Sequence, residues 1–287
     1  MRYAFIYEQS SRHSTERLCR VMDVSTSGYY DWRDREPSEH AKRDQELANM
    51  IRDSHVNSHK IYGSPRVHDD LKADNQKVSR KRVARLMQEQ GLVARCVKAF
   101  KKTTVVDPEL PVATNLLRQD FTATGPNQRW ASDITYINTD EGWLYLAVVM
   151  DLYSRTIVGW SMDKHMTVEL VMAALNMALK NRKITSELTL HSDRGSQYCA
   201  GLYQQLLTHH SIACSMSGVG NCYDNAAMES FFHSLKTEWV HHYRYETRDA
   251  ARNSIFEYIE VFYNRQRRHS FSDRMPPMMF EALAEVA

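Results

Sequence analysis

Glycine and cysteine are scarce in this chain of 287 residues, and each shortage excludes a class of protein. The ten glycines form no phosphate-cradling loop, which excludes a nucleotide hydrolase of the P-loop type. The five cysteines are scattered and odd in number, so no disulfide framework is expected. A zinc site built on His55 and His59 would lack half its ligands, because no Cys-x-x-Cys motif occurs. A reducing cytoplasm therefore fits the composition.

Long hydrophobic runs are also missing. The longest, residues 144–150, is far shorter than the roughly 20 residues that cross a bilayer, so no membrane partner is expected. The first residues lack the apolar core of a secretory signal peptide. Hydrophobic residues make up 43% of the chain, as in an ordinary globular protein, and the length allows about two domains.

Positive charge, by contrast, is concentrated in one segment. The chain has a net charge of only +2, yet residues 72–102 hold ten lysines and arginines against two acidic residues, a net charge of +8. A basic segment beside a net acidic remainder is typical of a protein that binds a polyanion at one end. A solvated basic helix is the alternative, and charge by itself does not decide between them.

Residues 1–103 are predicted to be helical, with two helix-turn-helix outlines. The first helical region covers residues 1–58, and Ser14 can cap a helix within it. The second, basic unit covers residues 59–103, and its second helix can begin after a cap at Ser79. In helix-turn-helix proteins the start of the second helix meets the bases, so DNA contact is expected; a plain helical hairpin with a charged outer face is the alternative. The candidate DNA-binding residues of this unit are Arg80, Lys81, Arg85, Lys98, Lys101 and Lys102.

From residue 128 the pattern changes to strands and helices. Residues 104–127, with three prolines, are predicted to be a linker, and residues 128–287 to form a catalytic core that ends in a helix. Three strand-like runs precede the first long helix, and later strands alternate with helices. That order is typical of a ribonuclease H-like core. The predicted fold class is therefore α/β, with an all-α helix-turn-helix region before it.

Three carboxylates occupy the elements in which a two-metal nucleic-acid enzyme needs them. Asp133 lies in the alternating run WASDITYI, Asp193 follows a short β-like stretch, and Glu229 lies in a predicted helix. Each alone has an ordinary explanation as a strand-edge aspartate, a turn aspartate or a surface glutamate. Together they can hold two hard divalent cations through oxygen ligands and stabilise an in-line phosphoryl transfer.

Four neighbouring residues are weaker candidates. Asp151 precedes a turn and is interpreted as a structural hydrogen-bonding residue, and Asn225 as a cap of the helix that carries Glu229. His191 either orients the site or packs within its strand. Lys236 lies two helical turns beyond Glu229 and could hold a phosphate with it, whereas a surface Glu and Lys on an amphipathic helix is the alternative.

Several segments of the chain resemble the DDE transposases of bacterial insertion sequences. The segments are residues 130–137, 140–151, 191–198, 217–236 and 263–270. Over nearly its whole length the chain is similar to the downstream open-reading-frame product of the insertion-sequence-three family, whose members are relatives of retroviral integrases. The gap of 35 residues between Asp193 and Glu229, with Lys236 seven residues further on, is the most specific part of the likeness.

The resemblance implies a DDE-type transposase, a polynucleotidyl transferase that uses two Mg²⁺ ions, for which Mn²⁺ can substitute. By position, Asp133, Asp193 and Glu229 match the family's catalytic and metal-binding acids, with Asp133 bridging the ions. Lys236 matches its DNA-contacting basic residue. Water would free a 3′-hydroxyl at one end of the element, and that hydroxyl would attack a second phosphodiester.

The resemblance also implies partners. These are double-stranded DNA, as element ends and as target, and further copies of the chain in a homo-oligomer on DNA, in the bacterial cytoplasm at the nucleoid. The sequence has no sustained heptad repeat, so an upstream reading-frame product, which in this family often brings a leucine zipper, is a further expected partner. Two alternative functions stay open: a non-catalytic DNA-binding modulator of the fused transposase, and a metal-dependent nuclease without strand transfer.

Overall fold

A five-stranded mixed sheet lies at the centre of the structure, a computed structural model that describes residues 1–95, 113–117, 120–218 and 225–284. Its strands are β1 (Arg129–Thr139), β2 (Gly142–Asp151), β3 (Ile157–Asp163), β4 (Thr189–Ser192) and β5 (Ala213–Met216). In space they follow the order β3-β2-β1-β4-β5. The first three pair antiparallel, and β4 and β5 continue the sheet in parallel. This is the ribonuclease H-like arrangement that the sequence predicts.

The β1–β2 hairpin shows why these segments form strands. The two strands pair without interruption, and Gly142 takes a φ of +102° at the turn, which glycine adopts without strain. Along β2, Leu144 and Leu146 point into one buried cluster, and Ala147 and Val149 into another. Both faces of β2 are therefore covered, which explains its nearly continuous hydrophobic sequence.

Helices cover both faces of the sheet. One face packs against α7 (Val168–Asn181), α8 (Ser196–Cys199) and α9 (Gly201–His209). The other packs against α10 (Ala226–Ser234), its π-helical continuation Leu235–Trp239, α11 (Arg248–Phe256) and its π-helical continuation Glu257–Tyr263. The final helix that the sequence predicts corresponds to α11 and its continuation. The structure has one more helix after it, α12 (Pro277–Ala284), which the sequence pattern did not predict.

The first 95 residues form two groups of helices. The first group comprises α1 (Arg2–Gln9), α2 (Thr15–Val21) and α3 (Thr26–Asp34). The second comprises α4 (Glu39–Asn57), α5 (Ser64–Ala73) and α6 (Arg80–Glu89). As predicted, Ser79 caps α6, because its hydroxyl accepts a hydrogen bond from the Arg82 amide. Of the helices in the described ranges, none combines the length and the apolar composition that a membrane crossing requires.

The packing of α4 bears on the predicted domain boundary after residue 58. This helix precedes the boundary in the sequence, but its Leu47 and Ile51 share a buried cluster with Val67 of α5 and Val83 of α6. The packing therefore groups α4 with the two helices that follow it. The boundaries after residues 58, 103 and 127 stay predictions.

The second helical group is joined to the α/β part of the chain. The Tyr62 hydroxyl donates to the Gln266 carbonyl and accepts from the Arg268 amide. The ring of His59 packs edge-on against Trp239, with centroids 4.7 Å apart. Hydrogen bonds and aromatic contacts thus fix the helix-turn-helix hairpin against the two π-helical segments.

Candidate active site

The two aspartates lie side by side where strands β1 and β4 separate. The last register pair between these strands is Ala131 with His191, and Asp133 and Asp193 each follow two residues later. Residues two apart share a face of a strand, and neighbouring strands lie about 4.8 Å apart. Asp133 therefore shares the face of β1 on which Ala131 lies, and Asp193, the first residue after β4, follows the adjoining strand end.

Hydrogen bonds to backbone amides orient each aspartate. Asp133 is buried, and its Oδ1 accepts from the Ile134 amide at 2.8 Å. Asp193 is half-buried in the turn after β4, and its Oδ1 accepts from the Gly195 amide at 2.9 Å. The carboxylate of Asp133 is therefore held by the sheet, whereas that of Asp193 is held by a turn.

A buried tyrosine lies near both aspartates. The hydroxyl of Tyr198 lies 3.0 Å from Ser132 Oγ on β1. Burial, followed by electrostatic repulsion from Tyr203, Asp133 and Asp193, raises the pKa of Tyr198 well above its ordinary value. The phenol therefore stays neutral beside the two carboxylates.

Glu229 lies on the exposed side of α10. The opposite side buries Met228 and Phe231, and Met228 shares a cluster with Ala131 of β1. Glu229 is therefore on the same side of the sheet as Asp133. Within the described ranges, however, no three His, Cys, Asp or Glu side chains gather closely enough to hold a metal ion. Residues 219–224, which lead into α10, lie outside those ranges.

The chemistry of the three acids nevertheless suits a hard divalent cation. Carboxylate oxygens are the ligands that Mg²⁺ and Mn²⁺ prefer. Asp193 is partly exposed and Glu229 is exposed, so both can be approached from solvent. The donor set fits such an ion, although the carboxylates are not gathered into a closed centre.

Three weaker candidates are explained by structure. His191 is fully buried, with Nδ1 2.8 Å from Ser215 Oγ and Nε2 3.2 Å from Ser217 Oγ, so it joins β4 to β5 as a packed strand histidine. Asp151 is fully buried and accepts hydrogen bonds from two backbone amides, as its interpretation as a structural residue requires. Asn225 precedes α10, but its side chain makes no capping hydrogen bond.

Lys236 lies in the π-helical continuation of α10, against an aromatic ring that the sequence analysis missed. Its ammonium is 4.7 Å from the ring centroid of Tyr136. Tyr136 in turn contacts Trp143 edge-on at 4.9 Å, and each ring is about half exposed. The polar–aromatic alternation in β1 was the available signal for Tyr136.

The cations predicted to bind DNA differ in their surroundings. Arg80 and Lys81, at the start of α6, are exposed. Arg85 forms ion pairs of 2.7 Å with Asp44 and with Glu89, and hydrogen bonds to these two carboxylates raise its pKa. The charge of Arg85 is therefore already compensated within the chain. The remaining candidates, Lys98, Lys101 and Lys102, lie outside the described residues.

A buried ion pair behind α10 was also missed. Arg267 donates to both carboxylate oxygens of Glu238, at 2.6 and 2.7 Å, and Arg66 of α5 donates to the same group at 3.2 Å. Burial would raise the pKa of Glu238, but the two arginines outweigh it and hold that pKa below its usual value. The basic run at residues 265–268 was the only signal in the sequence.

Three family models match this chain. One described as Integrase core domain matches residues 123–222, and a second with the same description matches residues 229–283. A third, described as HTH-like domain, matches residues 42–100. The first two cover the sheet and α10, and the third covers α4, α5 and α6.

Individual relatives were found in curated proteins and in solved structures. The chain is 44% identical over 283 residues to "Transposase InsF for insertion sequence IS3A" of Escherichia coli (strain K12), covering 98% of each. It is 46% identical over 263 residues to "Insertion element IS600 uncharacterized 31 kDa protein" of Shigella sonnei, covering 92% of this chain and 97% of the relative. The HTLV-2 integrase catalytic core domain in complex with magnesium aligns with 55% of this chain and 99% of its own, at 16% identity and a TM-score of 0.44.

Proposed function

The chain belongs to the IS3 family of transposases, and from this premise we propose that Asp133, Asp193 and Glu229 carry out a two-metal DNA cleavage and strand transfer. The observation that supports the proposal most strongly is the strand register: Ala131 pairs with His191, and Asp133 and Asp193 each follow two residues later, where β1 and β4 separate. The burial of α10 against the face of β1 that carries Asp133 supports the assignment of Glu229 as the third acid.

Each acid has a distinct part in this mechanism. Asp133, held by the sheet, would help to hold both of two Mg²⁺ ions, or Mn²⁺ in their place, and Asp193 in its turn and Glu229 on α10 would each hold one. The ions would supply activation of the attacking oxygen and stabilisation of the leaving oxygen. The chain orients water, and then a 3′-hydroxyl, against the phosphodiester at the element end.

The basic residues bind the DNA on which this chemistry acts. We assign Lys236 to the DNA next to the reacting phosphodiester, because it follows Glu229 along the same helical segment. Arg80 and Lys81, exposed at the start of α6, bind double-stranded DNA farther away, together with the lysines Lys98, Lys101 and Lys102. Arg85 contributes less, because Asp44 and Glu89 neutralise it.

The active form is expected to be a homo-oligomer on DNA, bound to both element ends and to the target at the bacterial nucleoid. An upstream reading-frame product is the expected additional partner. A non-catalytic DNA-binding role remains the competing function, since Arg80 and Lys81 do not need the acids to bind. The two functions differ in what the loss of a carboxylate does to binding.

The test compares Glu229→Gln with Glu169→Gln on supercoiled plasmid that carries the element ends, in Mg²⁺ and separately in Mn²⁺. Both glutamates lie in the first turn of an exposed helix face, but Glu169 is on α7, which covers the opposite face of the sheet. We expect nicked and joined products to disappear in Glu229→Gln and to persist in Glu169→Gln. Asp133→Asn and Asp193→Asn should lose the products as Glu229→Gln does.

Gel shifts on the same DNA complete the test. Binding should be equal in the wild type, Glu229→Gln and Glu169→Gln. Products that persist in Glu229→Gln, or binding that falls as sharply as activity, would refute the assignment. Products that are cleaved but never joined would identify a nuclease. A wild type that binds DNA without any reaction, even with the upstream product added, would favour the modulator.

A further inference from the structure

A cavity of about 450 Å³ lies behind α10, between helix α5, the β2–β3 turn and the C-terminal segment. Three arginines line it, Arg66, Arg155 and Arg267, and we call it the arginine cavity. Its wall also includes Ser230 of α10 and the aromatic ring of Phe271. None of these residues belongs to the proposed catalytic machinery.

Arg155 is the least satisfied of the three arginines. Its guanidinium lies 4.3 Å from the centroid of the Phe271 ring, and its Nη1 is buried with no hydrogen-bond acceptor among the described residues. Buried donors almost always have a hydrogen-bond partner, so this one calls for an acceptor from outside the chain. Its backbone φ of +66° is disfavoured for any residue with a side chain, and such strain concentrates at functional sites.

The arginine cavity carries a surplus of positive charge. Arg66 and Arg267 share the single carboxylate of Glu238, so one of their two charges is left over. Arg155 adds another. An anion bound against these side chains would balance the surplus and supply the acceptor that Arg155 Nη1 lacks.

Two further titratable groups lie near the arginines. Burial, followed by the charges of Arg267, Arg66 and Arg155, lowers the pKa of His269 to about 2, so the ring adds no charge. Asp151 is close to Arg155 and offsets part of its charge, although both of its oxygens accept hydrogen bonds from backbone amides. The surplus charge of the pair Arg66 and Arg267 and the unpaired Nη1 of Arg155 are left for an anion to compensate.

We propose that the arginine cavity binds a backbone phosphate of DNA. The proposal rests on the proposed function, because Ser230, the residue after Glu229, lines the cavity. Arg155 donates through its unpaired Nη1, since the planar guanidinium suits phosphate oxygens. The volume leaves space for the attached sugar.

Two variants remove the proposed contact in different ways. Arg155→Gln deletes the donor, and Ser270→Trp fills the cavity from its exposed rim without removing an arginine. The matched control is Ser186→Trp, another exposed serine, at a second cavity of about 450 Å³ whose wall includes Ile184 and His210. If Arg155→Gln fails to fold, Ser270→Trp still decides the question.

The measurement is the salt dependence of DNA affinity, by fluorescence anisotropy of a duplex that carries one element end, with EDTA present to prevent cleavage. Each phosphate neutralised contributes about 0.9 to the slope of log Kd against log salt concentration, over about 50–200 mM. We expect Arg155→Gln and Ser270→Trp to lower that slope by about 0.9, and Ser186→Trp to leave it unchanged. An unchanged slope in Ser270→Trp would overturn the proposal.

Inorganic phosphate, added at constant ionic strength, distinguishes DNA from a free anion. It should raise the melting temperature of the wild type and of Ser186→Trp, but not that of Ser270→Trp. Phosphate stabilisation with an unchanged DNA slope would identify a site for free phosphate and would also overturn the proposal. Because no cleavage occurs in EDTA, failure of the catalytic assignment at Glu229 is detected separately, in the plasmid assay.

Discussion

The two helical groups at the start of the chain bury their hydrophobic residues in different ways. Helices α1, α2 and α3 form a small core of their own, which includes Ile6 and Leu18. Helices α4, α5 and α6 place Leu71 and Val83 in the same cluster as Phe262 and the sheet. The first group therefore depends on its own contacts, whereas the second depends on the α/β part of the chain.

This difference decides which group has a defined position relative to the acids. Helix α5 is tied to the α/β part by Arg66 with Glu238 and by Asp70 with Arg268. The position of α6 relative to Asp133 is therefore determined by packing. For α1, α2 and α3 that distance depends on the connection at residues 35–38, between α3 and α4.

The largest expected effect comes from breaking the buried ion pair between the second group and the α/β part. Glu238→Gln leaves Arg267 as an uncompensated buried charge beside the partly buried Arg66, so we expect the free energy of unfolding to fall by about 3–5 kcal/mol. The exposed pair of Arg244 with Asp140 is the control, and Asp140→Asn should lower it by less than about 1 kcal/mol. Equal losses in urea unfolding would contradict a structural role for the junction.

Matched truncations in the two cores test the comparison directly. Leu71→Ala and Leu18→Ala should each cost about 2–5 kcal/mol, because both side chains are buried. Hydrogen exchange should then accelerate in the sheet only for Leu71→Ala, since Leu71 shares its cluster with β1 and β2 residues. Faster exchange of the sheet in Leu18→Ala would mean that the first group is coupled to the α/β part after all.

Acid should weaken the junction through His269. Its pKa is lowered to about 2 in the folded protein, chiefly by burial and then by nearby arginines, whereas the unfolded value is 6.5. As pH falls below 6.5, His269 is protonated in the unfolded chain but stays neutral in the folded chain. The contribution of the neutral ring to the free energy of unfolding is therefore fully present above that pH and is progressively lost below it. At pH 5 the loss is about 2 kcal/mol.

The variant His269→Gln checks this acid effect. It removes the titrating ring, so the decline in the free energy of unfolding between pH 8 and pH 5 should be smaller by about 2 kcal/mol than in the wild type. His13→Gln, at an exposed position in the first group, is the control and should keep the wild-type decline. Identical pH profiles for His269→Gln and the wild type would contradict the burial of a neutral ring at the junction.

The sequence predicted the parts of this molecule that depend on local pattern. Alternation in β1 and β2 identified the hairpin, and the order of strands and helices identified the ribonuclease H-like sheet that the structure confirms. The elements that carry Asp133, Asp193 and Glu229 were also predicted correctly. The catalytic role of these acids stays a prediction.

Contacts between distant segments could not be predicted in the same way. Phe271 covers Arg155, and Arg66 shares Glu238 with Arg267, through folding that no spacing in the sequence encodes. Lys236, in the π-helical continuation of α10, likewise lies over the Tyr136 ring, which comes from another element.

The smallest expected effects concern single cations on the two helical groups. Arg80→Gln should lower the slope of log Kd against log salt concentration by about 0.9, because an exposed arginine at the start of α6 neutralises one phosphate. Arg85→Gln should lower it less, because Asp44 and Glu89 already compensate that charge. Arg33→Gln on α3 is the counterpart in the first group, where Asp34 pairs with the arginine.

The order of these three slopes tests whether fixed position or charge alone governs binding. If packing against the α/β part makes α6 the main DNA-binding helix, Arg80→Gln changes the slope most and Arg33→Gln least. Equal changes of the slope in all three variants would mean that DNA binds the basic surfaces of both helical groups without preference. A larger change for Arg33→Gln than for Arg80→Gln would reverse the comparison, because the group with its own separate core would then bind DNA more closely than the group attached to the acids.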